Sequence, residues 1–277
     1  MRHINIGVVL SGGFAKGAYQ AGVLKALLEL RKPEDRFYVC GSSIGALNGY
    51  AFASLQTNYL EQEWKNTDIS GVLDVFRFLR KNSLQKKIET LIQKEVDEQF
   101  YLYTTSCHYP SMKETCFLLN NIPQKEKVDI LMANITIPPI MKPVSINGEK
   151  YIDGAFANNI PINYLLDKPL DYILVIHFDG SDLHFNQRYP QNKIIEMSFT
   201  ESDKLISDTF NFQKENISMM INCGYSKCMA TLNQHFGNLK EEKQEKKISI
   251  HINGDYLMNR LNKCIFFINR ERKKNEK

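Results

Sequence analysis

Long apolar runs are missing from this sequence: its 277 residues contain no uninterrupted stretch of the roughly 18 apolar residues that a membrane-spanning helix needs. A transmembrane segment is therefore not expected. Residues Met1 to Leu10 also lack the apolar region and small-residue cleavage site of a secretory signal. A cytoplasmic location with peripheral attachment to membranes is the expectation, and signal-independent export would leave no mark here. Metal-type patterns are missing too, since the six cysteines (Cys40, Cys107, Cys116, Cys223, Cys228 and Cys264) include no CxxC pair and no histidines at zinc spacing. They read as buried free thiols, with neither a metal nor a cofactor expected. Charge is nearly balanced at +4, too little to point to nucleic acid and compatible with an anionic membrane surface. No internal repeat or Pro/Gly-rich linker interrupts the chain, and 43% hydrophobic residues can fill a core. One domain over 1–277 is expected, with a motif-bearing core at about 6–180 and a helical part at about 195–277.

What is present begins with strand, tight turn and helix. Ile4 to Leu10 is apolar and β-branched, Ser11-Gly12-Gly13 breaks it, and Ala18 to Leu30 carries apolar residues at helical spacing. A second copy follows: the strand Phe37 to Cys40, the turn Gly41-Ser42-Ser43, and a helix over Ile44 to Leu55. Two such units in succession predict parallel strands with right-handed crossovers, hence an α/β fold with a sheet covered on both faces. Residues 56–99 read as mostly helical, and two strands are expected around Tyr109-Pro110-Ser111. Asn147-Gly148, between Val144-Ser145-Ile146 and Lys150-Tyr151-Ile152, predicts a hairpin that delivers Asp153 to a loop. Asp171 to Phe178 reads as a strand. Thr200 to Leu232 reads as a helix with a Thr200/Asp203 capping box, and Ile248, Ile250 and Ile252 suggest a late strand.

Gly41-Ser42-Ser43-Ile44-Gly45 fits GxSxG, in which a serine hydroxyl is exposed on a sharp strand-to-helix turn. The pattern alone also suits an ordinary glycine-rich turn; its place between a strand and a helix favours chemistry. The first turn, Leu10 through Gly17, offers backbone N–H groups and a helix start that suit a phosphate or an oxyanion. A Walker loop is disfavoured because Lys16 is followed by Gly17 and Ala18, and Phe14 spoils a dinucleotide GxGxxG. Among the histidines only His177, near a strand end, is placed as a base would be. Asp153-Gly154-Ala155 is better placed, a carboxylate on a turn with small neighbours, although Asp-Gly is also a common bare turn.

In this order, the three motifs resemble the patatin-like phospholipase family. The flanks are similar as well: Leu10 to Leu24, Gly41 to Asn48, and Ala133 to Pro138 with Pro143 to Pro161. The resemblance implies a three-layer α/β fold with a mostly parallel central sheet and helices on both faces. It also implies a lipid acyl hydrolase of phospholipase A or lysophospholipase type, working at a membrane or micelle surface without calcium. By that analogy Ser43 is the nucleophile and Asp153 its base, with Gly12, Gly13 and Phe14 forming the oxyanion hole. Lys16 then faces a lipid phosphate, and Gly17, Gly41, Gly45, Gly154 and Ala155 support the motifs. The chain departs from the family where Phe14 replaces a third glycine and where Ile44 is bulkier than usual. If Phe14 must take a positive φ, the replacement costs on the order of 1 kcal/mol. Residues 71–81 suggest a lid or interfacial helix, or one packed on the sheet, and the basic tail Arg270 to Lys277 a solvated end or an anionic-lipid contact. The alternatives to a hydrolase are a catalytically weak lipid-binding or regulatory scaffold and a nucleotide-binding α/β protein.

Overall fold

Alternating side chains on the central strands divide the core into two layers, one on each face of a single sheet. The structure, a computed structural model, describes residues 4–67, 69, 74, 83–178, 193–199 and 209–236. The unit that carries every feature below runs to His235. In chain order its elements are β1 (Asn5–Leu10), α1 (Gly17–Leu30), β2 (Arg36–Ser42), α2 (Ile44–Ala53), α3 (Thr57–Asn66) and α4 (Ser83–Leu91). There follow β3 (Phe100–Tyr109), β4 (Lys113–Leu118), α5 (Gln124–Ala133), β5 (Val144–Ile146), β6 (Glu149–Asp153), β7 (Tyr172–His177), β8 (Ile194–Ser198) and α6 (Lys214–Phe236).

The eight strands form one sheet in the order β5-β6-β3-β2-β1-β7-β8, with β4 paired to β3 off this path. β3, β2, β1, β7 and β8 are mutually parallel, as the two leading strand-turn-helix units predicted. On one face Leu10, Val39 and Leu102 surround Gly49 of α2. That helix is buried from Gly45 to Ala53, as an apolar-all-round helix must be. On the other face Val9, Tyr38, Cys40 and Val175 pack against Ile162, Leu165 and Leu170. Among the described residues no helix is long and apolar enough to cross a membrane.

One geometric consequence of the pairing positions the site. β3 is longer than β2: Phe37–Ser42 pair with Phe100–Thr105, and β3 continues to Tyr109. β4 takes the other edge of β3 over Tyr103–His108. β6 must then pair on the same edge as β2, and it does so antiparallel, with Asp153 opposite Ser106. Ser42 opposite Thr105 and Asp153 opposite Ser106 therefore bring the ends of β2 and β6 together. The hairpin that carries Asp153 turns at Asn147 (φ 51) and Gly148 (φ 87), the left-handed pair that Asn-Gly predicts. Asp153 ends the strand itself instead of lying in a loop beyond it, because its N–H bonds to Thr136 O at 2.9 Å.

The predicted helix over Thr200 to Leu232 is not continuous: residues 211–213 are not helical, and α6 runs from Lys214. Before it, the Phe212 N–H bonds to Ile69 O and Asn211 Oδ1 accepts from Gln213 N, which turns the chain out of helical geometry. The Thr200/Asp203 cap, the Ile248 to Ile252 strand, the basic tail and, apart from Asp74, residues 71–81 lie outside the described residues. α5 carried no sequence expectation of its own, and β8 is a strand where the helical part from about 195 was expected, because it pairs in parallel with β7.

α6 crosses α1 at two glycines. A Cβ on Gly22 would stand 1.9 Å from Ile221 O, and one on Gly224 would stand 2.0 Å from Tyr19 O. The backbones touch there, so even a methyl group must part the helices. Gly22→Ala is expected to cost about 1–3 kcal/mol, read as a lower urea midpoint; an unchanged midpoint would contradict this crossing.

Candidate active site

Ser43 stands between β2 and α2 with φ 56 and ψ −132, a positive-φ elbow that costs a non-glycine residue about 1–3 kcal/mol. The flanking glycines permit it by close approach: a Cβ on Gly41 would lie 2.5 Å from Gly45 O, and one on Gly45 would lie 2.4 Å from Leu10 O. Ser43 Oγ donates to Asp153 Oδ2 at 2.6 Å across 110 positions of sequence. The second carboxylate oxygen, Oδ1, accepts the Ala155 N–H at 2.8 Å. Gly154 must be glycine for the chain to leave β6 here, since a Cβ would stand 2.0 Å from Thr105 O.

Asp153 is only 3% exposed, and burial disfavours its ionised form. Desolvation raises its pKa from 3.8 to about 7, against the lowering effect of the hydrogen bonds from Ser43 and Ala155. A carboxylate with a pKa near 7 is matched to proton transfer at neutral pH. His177, the histidine whose placement suited a base, pairs instead with Glu196, Nε2 to Oε1 at 2.6 Å, on the neighbouring strands β7 and β8.

The glycine-rich turn after β1 closes over the elbow. The Gly12 N–H donates to Asn159 Oδ1 at 2.9 Å, so this amide, expected among the oxyanion donors, is already engaged. A Cβ on Gly12 would meet Ser43 Cβ at 2.7 Å, which shows how tightly the turn sits on the serine. Gly13 and Phe14 lead into the 3-10 turn Phe14–Lys16, where leading N–H groups have no intrahelical partner. Phe14 does take a positive φ of 50, the costly conformation for the residue in place of glycine. Its ring lies 5.0 Å from that of Phe210, a contact that offsets the strain. Lys16 lies over the Phe178 ring, 5.5 Å from its centroid, and Gly17 fits between Trp64 and Ile44.

Behind the turn lies a buried amide relay that sequence reasoning missed. Gln20 Nε2 donates to Ser11 O at 2.8 Å, while Asn48 Nδ2 donates to Gln20 Oε1 and Gly17 O, both at 2.9 Å. Trp64 Nε1 completes the chain to Asn48 Oδ1 at 3.1 Å. The helix that begins after Ser43 is thus tied to both ends of the glycine-rich turn. The available signal was a polar residue inside an apolar helical pattern, Gln20 within Ala18 to Leu24 and Asn48 within Ile44 to Ala53. Asn159 gave a weaker signal, as one of two adjacent asparagines after the Asp-Gly-Ala turn.

The patatin-like phospholipase profile matches residues 8–166, and the chain belongs to that family. A patatin-like phospholipase domain-containing protein of Caenorhabditis elegans is 29% identical over 199 residues, 66% of this chain and 18% of that protein. A lysophospholipase of Cryptococcus neoformans is 24% identical over 186 residues, 64% of this chain and 11% of that protein. The chain therefore spans less than a fifth of the length of these relatives. Among solved structures, VipD of Legionella pneumophila is similar at 13% identity and a TM-score of 0.46, covering 85% of this chain and 67% of that one.

Two predictions follow from the electrostatics and the strain. Because the folded pKa of Asp153 lies above its unfolded value, its contribution to stability is greatest below about pH 4. It falls as pH rises from there to about 7, by on the order of 4 kcal/mol, and is flat beyond. Asp153→Asn removes this loss, so melting temperatures of variant and wild type should diverge as pH rises through that window; parallel curves would contradict the buried acid. At Phe14, Ala keeps the positive-φ strain and loses the ring contact, whereas Gly loses only the contact. Phe14→Gly should be more stable than Phe14→Ala by about 1 kcal/mol in chemical denaturation; the reverse order would count against the strained turn.

Proposed function

We propose that the protein is a lipid acyl hydrolase using Ser43 and Asp153 as a two-residue catalytic pair, without histidine. The observation that carries this reading is the 2.6 Å hydrogen bond from Ser43 Oγ to a buried carboxylate at a strained elbow. Ser43 Oγ attacks the ester carbonyl carbon while its proton passes to Asp153 Oδ2, forming a tetrahedral intermediate. The Gly13 and Phe14 N–H groups face the developing oxyanion, a type of contact worth about 10²- to 10³-fold in rate per donor. As the carbonyl reforms, the bond to the leaving oxygen breaks and Asp153 returns the proton to that alcohol. Water then attacks the acyl-Ser43 ester, gives a proton to Asp153, and releases fatty acid as Ser43 recovers its proton.

Family membership and a relative named as a lysophospholipase favour phospholipid or lysophospholipid esters as substrates. The chemistry assigned to these residues needs no metal ion. A second reading, a catalytically weak lipid-binding scaffold, has its support in the positive φ of Phe14 within the oxyanion turn.

Release of free fatty acid from a mixed phospholipid and lysophospholipid panel, with chelator present, separates the two. Wild type should release acid, and Ser43→Ala and Asp153→Asn should each lose about 10⁴-fold or more, since members of one catalytic unit fail together. No release by folded wild type favours the scaffold; full activity in either variant removes the pair.

A further inference from the structure

β3 and β4 carry a turn well past the catalytic pair. Tyr109 is three residues beyond Ser106, which pairs with Asp153, and three strand residues advance about 10 Å. The turn thus stands at the same end of the sheet as Ser43, above the level of the elbow and to one side of it. Residues 109–113 are all exposed, with Tyr109 at 41% and Met112 at 46%. The turn is held in place: Met112 N bonds to His108 O at 2.8 Å, and His108 Nδ1 lies 2.6 Å from Ser111 Oγ. Met112 Sδ also lies 3.9 Å from Cys107 Sγ, so Tyr109 and Met112 stay part-exposed on a fixed frame.

Phe156, three residues after Asp153, is 50% exposed. Its loop is joined to the start of β4 by the Asn158 Nδ2 to Glu114 Oε2 hydrogen bond of 3.3 Å. Of the six large apolar side chains exposed among the described residues, Tyr109 and Met112 share this one turn, and Phe156 follows shortly after Asp153. Scattered exposed apolar residues need no explanation, but a group at one end does. Two exposed lysines and two carboxylates stand beside it. Lys113 pairs in register with His108 and Lys150 with Tyr109, and both lysines are exposed. Of the nearby carboxylates, Glu149 is held by His108 at 2.9 Å and Glu114 by Asn158.

We infer that the β3–β4 turn is the surface by which this protein docks on a lipid bilayer. Tyr109 and Met112 enter the headgroup region while the exposed Lys113 and Lys150 meet lipid phosphates and carboxylates, an apolar tip flanked by two lysines. This rests on the lipid-hydrolase reading, because it brings Ser43 to the surface in which its ester substrate is dissolved.

The test uses the whole chain in the Ser43→Ala background, so that binding is read without turnover. Sedimentation with phosphatidylcholine vesicles, with and without phosphatidylserine, is compared with that of Tyr109→Ser/Met112→Asn. Asparagine is chosen at Met112 because it tolerates that residue's positive φ of 57. The double variant should bind at least about tenfold more weakly to both vesicle types, and Lys113→Gln/Lys150→Gln should lose only the gain that phosphatidylserine provides. With Ser43 restored, both variants should hydrolyse vesicle lipid more slowly and a short-chain soluble ester as wild type does. Undiminished binding by the apolar variant, or an equal loss on the soluble ester, would overturn the docking surface. Sedimentation decides the surface and soluble-ester hydrolysis decides the catalytic pair, so the two readings fail separately.

Discussion

Two strands that end facing one another on the same edge of β3 set the terms for the rest of this molecule. β2 runs parallel to β3 and stops opposite Thr105, and β6 comes from the opposite direction and stops opposite Ser106. The backbone register alone places the residue after β2 against the last residue of β6. Everything nearby is arranged to tolerate that meeting: an elbow with positive φ at Ser43, a glycine where the chain leaves β6, and a glycine turn pressed onto the serine. Side-chain chemistry is added to a junction that the sheet has already made.

Burial then gives the junction its chemical character. A carboxylate at a solvated turn has a pKa near 3.8; burial at the bottom of this junction pushes it up to about 7. The same burial that would suit Asp153 to the proposed role of base makes its ionised form costly to the fold, so this residue opposes stability near neutral pH. The amide relay from Trp64 through Asn48 and Gln20 to Ser11 counters looseness on the other side, with fully buried donors and acceptors joining α2 to the glycine-rich turn. Such a relay favours one arrangement because each broken link would leave a buried polar group unpaired.

Much of this was legible in the sequence because it resides in local patterns. Strand-turn-helix repeats predicted the parallel core, Asn147-Gly148 predicted the hairpin, and GxSxG and Asp-Gly-Ala marked Ser43 and Asp153. What escaped was whatever depends on residues far apart in the chain. Asn159 reaches Gly12 across 147 positions, and no local pattern shows that this removes one amide from the expected oxyanion set. Whether Phe14 needed a positive φ was likewise undetermined until the turn was seen closing on Ser43. The helix expected over Thr200 to Leu232 is broken just before Lys214, where Phe212 bonds to Ile69, again a tertiary competitor that helical periodicity does not register.

The central claim is that a buried carboxylate with a pKa near 7 activates Ser43. The most direct measurement is the rate of covalent labelling by a fluorophosphonate between pH 5 and 9, with the modified residue located by peptide mass. The account predicts a single label on Ser43 and a rate that rises about tenfold per pH unit below about 7 and levels off above it. A label on another residue, or a labelling rate at Ser43 that does not change through pH 7, would contradict it.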